Sequence, residues 1–255
     1  QANGVTFDDA VYDVTVNVTE AADGELVPKV SVFKDGKPVE GVPVFTNRYE
    51  STVDYSALGG LKITKVLNGR DMTDGQFAFT VKAKGVDAEA VAAAASKLGF
   101  AEGQTERVFT SHAATDGAVD SIDILAGLPG GLVFTQADAG KTFAYEVRES
   151  TGGGVGYTND QTVYGVSISV ADDGAGTLTV TTIVTGGAEG EKTYVYTSGQ
   201  KPEEVEPVVL PFVNSYAAQG DVSIATSKVL HGRPLEAGEF SFELRTGDGA
   251  AGSSE

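Results

Sequence analysis

No stretch constrains this chain more than Leu61-Lys62-Ile63-Thr64-Lys65-Val66-Leu67. At the two-residue period of a strand, Leu61, Ile63, Lys65 and Leu67 share one face. Three of those four are core residues, and the fourth is a lysine. An ammonium on the buried face of a strand is costly unless it is paired or loses its charge. Lys62, on the other face, is an ordinary solvated strand lysine. Whatever this chain folds into must provide for Lys65.

Two further strands carry a polar residue in phase with apolar ones. In the run from Thr142 to Glu149, the residues Phe143, Tyr145, Val147 and Glu149 share a face, while Glu146 points to the other side. In the run from Pro207 to Tyr216, Phe212, Asn214 and Tyr216 fall together. Two arrangements satisfy this trio. One is a buried Lys65–Glu149 ion pair with Asn214 hydrogen-bonded nearby. The other is a covalent bond. A desolvated lysine has a lowered pKa and becomes a neutral nucleophile, and a carboxyl in the same pocket has its pKa raised and can stay protonated. That acid polarises the asparagine carbonyl and relays protons to departing ammonia, leaving a Lys–Asn isopeptide. This is a single-turnover self-reaction and not an enzyme activity.

Internal repeats set the organisation. Lys65-Val66-Leu67-Asn68-Gly69-Arg70 returns as Lys228-Val229-Leu230-His231-Gly232-Arg233, and Gly75, Phe77 and Phe79 return as Gly238, Phe240 and Phe242. Phe45-Thr46-Asn47-Arg48-Tyr49 returns as Phe212-Val213-Asn214-Ser215-Tyr216, and Val11-Tyr12-Asp13-Val14 as Val163-Tyr164-Gly165-Val166. Signatures recurring in one order mean tandem domains. The expected division is 1–54 as the rear part of one repeat, 55–218 as a complete domain, and 219–255 as the front of the next. Asn47 and Lys228 are then repeat equivalents of Asn214 and Lys65 without partners in this chain.

The remaining sequence reads as strands and turns. Tyr12, Val14, Val16 and Val18 alternate with polar residues, and Lys34-Asp35-Gly36-Lys37 is a hairpin turn. One helix is predicted over 87–98, with Asp87 as N-cap, an alanine-rich body and Gly99 beyond it, a surface insertion. With 33 glycines and no cysteine or tryptophan, the composition suits an extracellular β protein without disulfides. The expected fold class is all-β, tandem Ig-like sandwiches with one short inserted helix.

On these residues the chain resembles the streptococcal-type pilin isopeptide-linkage domains of Gram-positive surface proteins, relatives of CnaB-like modules. The matching elements are Lys65 to Arg70 with Gly75-Gln76-Phe77-Ala78-Phe79, then Tyr145-Glu146-Val147-Arg148-Glu149, Gly156-Tyr157-Thr158-Asn159, and Phe212 to Tyr216. The resemblance spans 58–217 and part of both flanks. It implies CnaB-like sandwiches, a cross-link between Lys65 and Asn214, and assistance by Glu149. It further implies a cell-surface pilus backbone or adhesin stalk, with neighbouring repeats, other pilus subunits or a host ligand as partners. No Leu-Pro-x-Thr-Gly sorting signal occurs in the sequence, and Val27-Pro28-Lys29 sits at a strand edge.

Other chemistries find little support. A net charge of −18, from 36 acidic and 18 basic residues, opposes binding to nucleic acid or anionic membranes. No apolar run is long enough to span a bilayer. His112 and His231 have no second ligand at metal spacing, so no metal and no cofactor is expected. Gly152-Gly153-Gly154 precedes a strand and not a helix, and Asp172-Asp173-Gly174 reads as a hairpin turn. The competing function is a binding module, with the insertion 83–135 recognising a host protein or glycan through exposed aromatics.

Overall fold

Alternation of apolar and polar residues builds almost every element of this chain. The computed structural model describes residues 3–245, which divide into two units at Ala218. The first contains β1 (Val5–Thr6), β2 (Tyr12–Glu20), β3 (Leu26–Lys34), β4 (Lys37–Pro38), β5 (Arg48–Tyr49), β6 (Thr52–Asp54), β7 (Leu61–Asn68) and β8 (Ala78–Lys84). After α1 (Ala88–Lys97) come β9 (Glu106–Thr110), β10 (Val119–Asp123), β11 (Val133–Thr135) and β12 (Thr142–Thr151). The unit ends with β13 (Tyr157–Thr158), β14 (Val163–Asp172), β15 (Leu178–Thr185), β16 (Lys192–Thr197) and β17 (Val208–Tyr216).

Residues 55–218 form a sandwich of two sheets, ordered β10-β7-β17-β13 and β16-β15-β14-β12-β8-β9. The inner faces are the ones the two-residue period picks out. Leu61, Ile63 and Leu67 of β7 and Val208, Leu210 and Phe212 of β17 pack against Phe79, Val81, Tyr145, Val147, Val166 and Ile168 of the other sheet, all buried. The fold is all-β with one α-helix among the described residues, as expected. First and last strands of the sandwich are neighbours: β7 and β17 pair in parallel, with Lys65 opposite Phe212 and Leu67 opposite Asn214.

The helix begins at its expected cap, Asp87 accepting from the Ala90 backbone N–H at 2.8 Å. It is less peripheral than a surface insertion. Ala94, Ala95 and Leu98 are buried, and the Tyr145 hydroxyl donates to the Ala94 carbonyl at 2.9 Å. A small-residue face lets the helix lie close to the core, so a face that looks too weak to bury is the one that fits. Nor is 83–135 a free-standing insertion, since β9 pairs with β8 and β10 with β7.

Residues 3–50 form the three-stranded sheet β2-β3-β4 and the pair β1-β5. The turn between β3 and β4 places Asp35 and Gly36 at φ 50° and 72°, as a tight hairpin requires. Val14, Val16, Val18, Leu26 and Val30 of this sheet are exposed. Tyr49 ties the segment to the sandwich by donating to Asp172 Oδ1 at 2.6 Å.

In the second unit, residues 219–245 contain no helix or strand. The Lys228 motif runs there without a ladder partner among the described residues. Lys228 Nζ nevertheless lies 4.5 Å from the Phe240 ring centre, much as Lys65 Nζ lies 4.4 Å from that of Phe77.

Candidate functional site: a buried lysine, glutamate and asparagine

The three residues singled out by strand phase meet at one point. Lys65 and Asn214 are both 0% exposed, and the Glu149 side chain is 3% exposed. Lys65 and Asn214 reach the point from adjacent parallel strands, one diagonal step apart on the inner face. Glu149 reaches it from the opposite sheet, where β12 shifts register beyond its pairing with Phe79. A local irregularity of this kind re-aims a side chain.

Glu149 bridges the other two. Lys65 Nζ donates to one carboxylate oxygen at 2.5 Å, and Asn214 Nδ2 donates to the other at 2.9 Å. Amine and amide are thereby held on one carboxylate. The second Asn214 amide hydrogen goes to Asn159 Oδ1 at 3.3 Å. Asn214 Oδ1 accepts from the Asp160 backbone N–H at 2.7 Å. Among the described residues no buried side-chain nitrogen or oxygen lacks a partner.

Aromatic rings wall the site. Phe77 and Phe79 are fully buried, and the Phe79 and Phe212 rings are 5.1 Å apart between centres. Burial pushes the Lys65 amine below the ordinary lysine range, against the opposing pull of Glu149 and Asp160. For Asp160 burial acts upward, but hydrogen bonds from Thr162 and Val213 and the Lys65 charge hold it below its usual value. A lowered lysine value makes the amine easier to convert to its neutral, nucleophilic form.

The repeated Lys-Val-Leu-x-Gly-Arg motif has a structural reason at its glycine and its arginine. Gly69 sits at φ +94°, and a Cβ there would lie 2.1 Å from the Tyr216 carbonyl oxygen. Only glycine allows the end of β7 to close so tightly on the end of β17. The Arg70 guanidinium stacks 4.8 Å from the Tyr216 ring centre and 6.0 Å from that of Tyr157.

Other residues noted in the sequence lie elsewhere. Glu146 faces outward and pairs with Lys84 at 3.4 Å. Asn47 accepts from the Asp8 backbone N–H at 3.0 Å. Among the described residues Lys228 makes no salt bridge, and its ammonium lies over the Phe240 ring. His112 meets Asp120 at 3.0 Å, and no group of three or more His, Cys, Asp or Glu among the described residues is placed to hold a metal. Strand phase missed Asp160, which lies in a turn. The repeat could have found it, because Gly156-Tyr157-Thr158-Asn159-Asp160 aligns with Gly4-Val5-Thr6-Phe7-Asp8 at the spacing that relates Tyr164 to Tyr12.

Fold and site together define a class: a β-sandwich whose first and last strands present a buried lysine and asparagine on one buried carboxylate. The FctA family, described as the Spy0128-like isopeptide containing domain, matches residues 1–50 and 61–217. The chain belongs to this family, and with it to the structural, pilus-type proteins of the Gram-positive surface. No curated protein matches the chain.

Proposed function

We propose that Lys65 and Asn214 join in an intramolecular isopeptide bond assisted by Glu149, and that the bond strengthens a pilus backbone or adhesin stalk. The observation that carries this reading is the single carboxylate holding both amine and amide in a dry pocket. Glu149 takes a proton from Lys65, leaving a neutral amine and a neutral acid. The Lys65 Nζ lone pair adds to Asn214 Cγ, and the C=O π electrons move onto Oδ1. When that intermediate collapses, the C–Nδ2 bond breaks as Glu149 delivers its proton to Nδ2, ammonia leaves, and Nζ gives its surplus proton to the Glu149 carboxylate. The products are one secondary amide and one ammonia, with the buried charges gone. The reaction turns over once, so the chain is not an enzyme.

The topology makes the bond mechanically useful. Tension entering at β7 and leaving at β17 would pass through a Lys65–Asn214 link and bypass the 148 residues between them. The repeats support the division into 1–54, 55–218 and 219–255 as successive pieces of a tandem array, with neighbouring repeats as partners and the cell wall as location. Ligand recognition through 83–135 has less support: the exposed large hydrophobics there are Val86, Val108 and Val119, none aromatic. Intact mass tests the bond. The chain should weigh one ammonia less than its sequence, and digestion should yield a branched peptide joining Lys65 to Asn214; an unchanged mass would refute it.

A further inference from the structure

Asp160 lies in the turn between β13 and β14, and the chemistry above assigns it no part. Its backbone N–H donates to Asn214 Oδ1 at 2.7 Å. One oxygen of its carboxylate accepts from the Val213 N–H at 2.8 Å, and the other accepts from the Thr162 N–H at 2.8 Å. The turn therefore grips the terminal strand both at the reacting amide and at the residue before it.

The same grip recurs in residues 3–50. The Asp8 N–H donates to Asn47 Oδ1 at 3.0 Å, and the Asp8 carboxylate accepts from Thr46 N–H at 2.6 Å and Ala10 N–H at 2.8 Å. Tyr12 donates to the Val44 carbonyl at 2.9 Å as Tyr164 donates to that of Pro211 at 2.7 Å. The Tyr12–Phe45 rings stand 5.1 Å apart and the Tyr164–Phe212 rings 5.3 Å apart, both edge to face. Asn47 has neither a lysine nor a glutamate among its hydrogen-bond partners in the described residues. The grip thus forms without the other two reactants, as a property of turn and terminal strand alone. Asn159 is not part of the recurring set, since Phe7 stands in its place.

We propose that the Asp160 turn is the oxyanion-stabilising element of the cross-link, its N–H donating to the oxygen that becomes negative as Lys65 adds to Asn214. The proposal rests on the reading of Lys65 and Asn214 as the reacting pair. A backbone donor aimed in advance at the developing charge, in a site buried from solvent, needs no reorganisation during the reaction. The Asp160 carboxylate keeps the donor in place by tying the turn to β17. Asp160 gives up no proton at any step; its N–H hydrogen bond shortens as charge builds on Oδ1 and relaxes when ammonia leaves.

The test uses the full chain recovered unfolded from inclusion bodies, refolded, and followed by intact mass as ammonia is lost. Asp160→Ala should slow cross-linking about tenfold or more, because losing its tether displaces a donor whose outright removal costs a larger factor. Asp160→Asn, which can accept from only one of the two N–H groups, should fall between Asp160→Ala and wild type. Asp8→Ala breaks the equivalent bonds in the other copy and should leave the rate unchanged. If Asp160→Ala reacts at the wild-type rate, or if Asp8→Ala slows the reaction as much, the proposal is overturned. Should Asp160→Ala fail to fold, Asp160→Asn decides alone, a wild-type rate again overturning the proposal. A wild-type chain that never loses ammonia would refute the cross-link itself.

Discussion

Replacing Asn214 by alanine separates the proposed bond from the Lys65–Glu149 ion pair. Asn214→Ala removes the electrophile but leaves Lys65 and Glu149 in contact at 2.5 Å, so no buried charge is stranded. What is lost is the constraint on the unfolded chain plus the Asn214 hydrogen bonds. A cross-link between positions 65 and 214 closes a loop of about 149 residues, which by the disulfide relation stabilises by about 5 kcal/mol. The hydrogen bonds to Glu149 and from Asp160 add about 1–2 kcal/mol more. For a unit of this size, 5 kcal/mol corresponds to a fall of about 10–20 °C in Tm. Differential scanning calorimetry of wild type and variant, each paired with an intact mass, measures it. A wild type at its encoded mass, or a cross-linked wild type melting within a few degrees of Asn214→Ala, would show that the loop argument is wrong.

Other outcomes follow from the same geometry. Glu149→Gln should fold and keep its full mass because the proton relay is gone, whereas Glu146→Ala, altering a carboxylate that faces Lys84, should cross-link like wild type; intact mass decides both. The rate of cross-linking in refolded chain should fall as pH rises through the Lys65 value, which burial sets below the ordinary 10.5, because the shared proton that Glu149 must deliver is then lost; a rate climbing steadily past pH 10.5 would mean that amine neutrality alone controls the reaction. In an unlinked variant the sign is fixed by the same lowered value. The unfolded lysine binds a proton that the folded one has lost, so Asn214→Ala should gain stability from the Lys65 value up to 10.5, read by urea denaturation across that window. Gly69→Ala should cost about 3 kcal/mol in denaturant unfolding, since both its φ and the Tyr216 carbonyl exclude a Cβ. Peptide mapping of this chain should find a branch at Lys65 and Asn214 and none at Asn47 or Lys228, neither of which has a glutamate partner among the described residues.

Strand period alone determined which faces of this protein are buried and which polar residues lie on them. Leu61, Ile63, Lys65 and Leu67, and Phe143, Tyr145, Val147 and Glu149, declare their faces because a pleated strand turns every second side chain the same way, whatever it pairs with. That made the chemistry of a buried lysine legible before any contact was known, and the repeats made Asn47 and Lys228 legible as equivalents. Period cannot say which strands are neighbours. That β7 and β17 run side by side in parallel, and that Glu149 reaches them from across the core, depends on contacts between residues 147 and 84 positions apart. The alanine face of α1 was misjudged for a related reason, because closeness of approach is decided by the partner surface and not by the helix. Asp160 lay further out of reach. Its contribution to Asn214 is a backbone N–H, a group every residue but proline carries, and only the closed turn aims it at one oxygen.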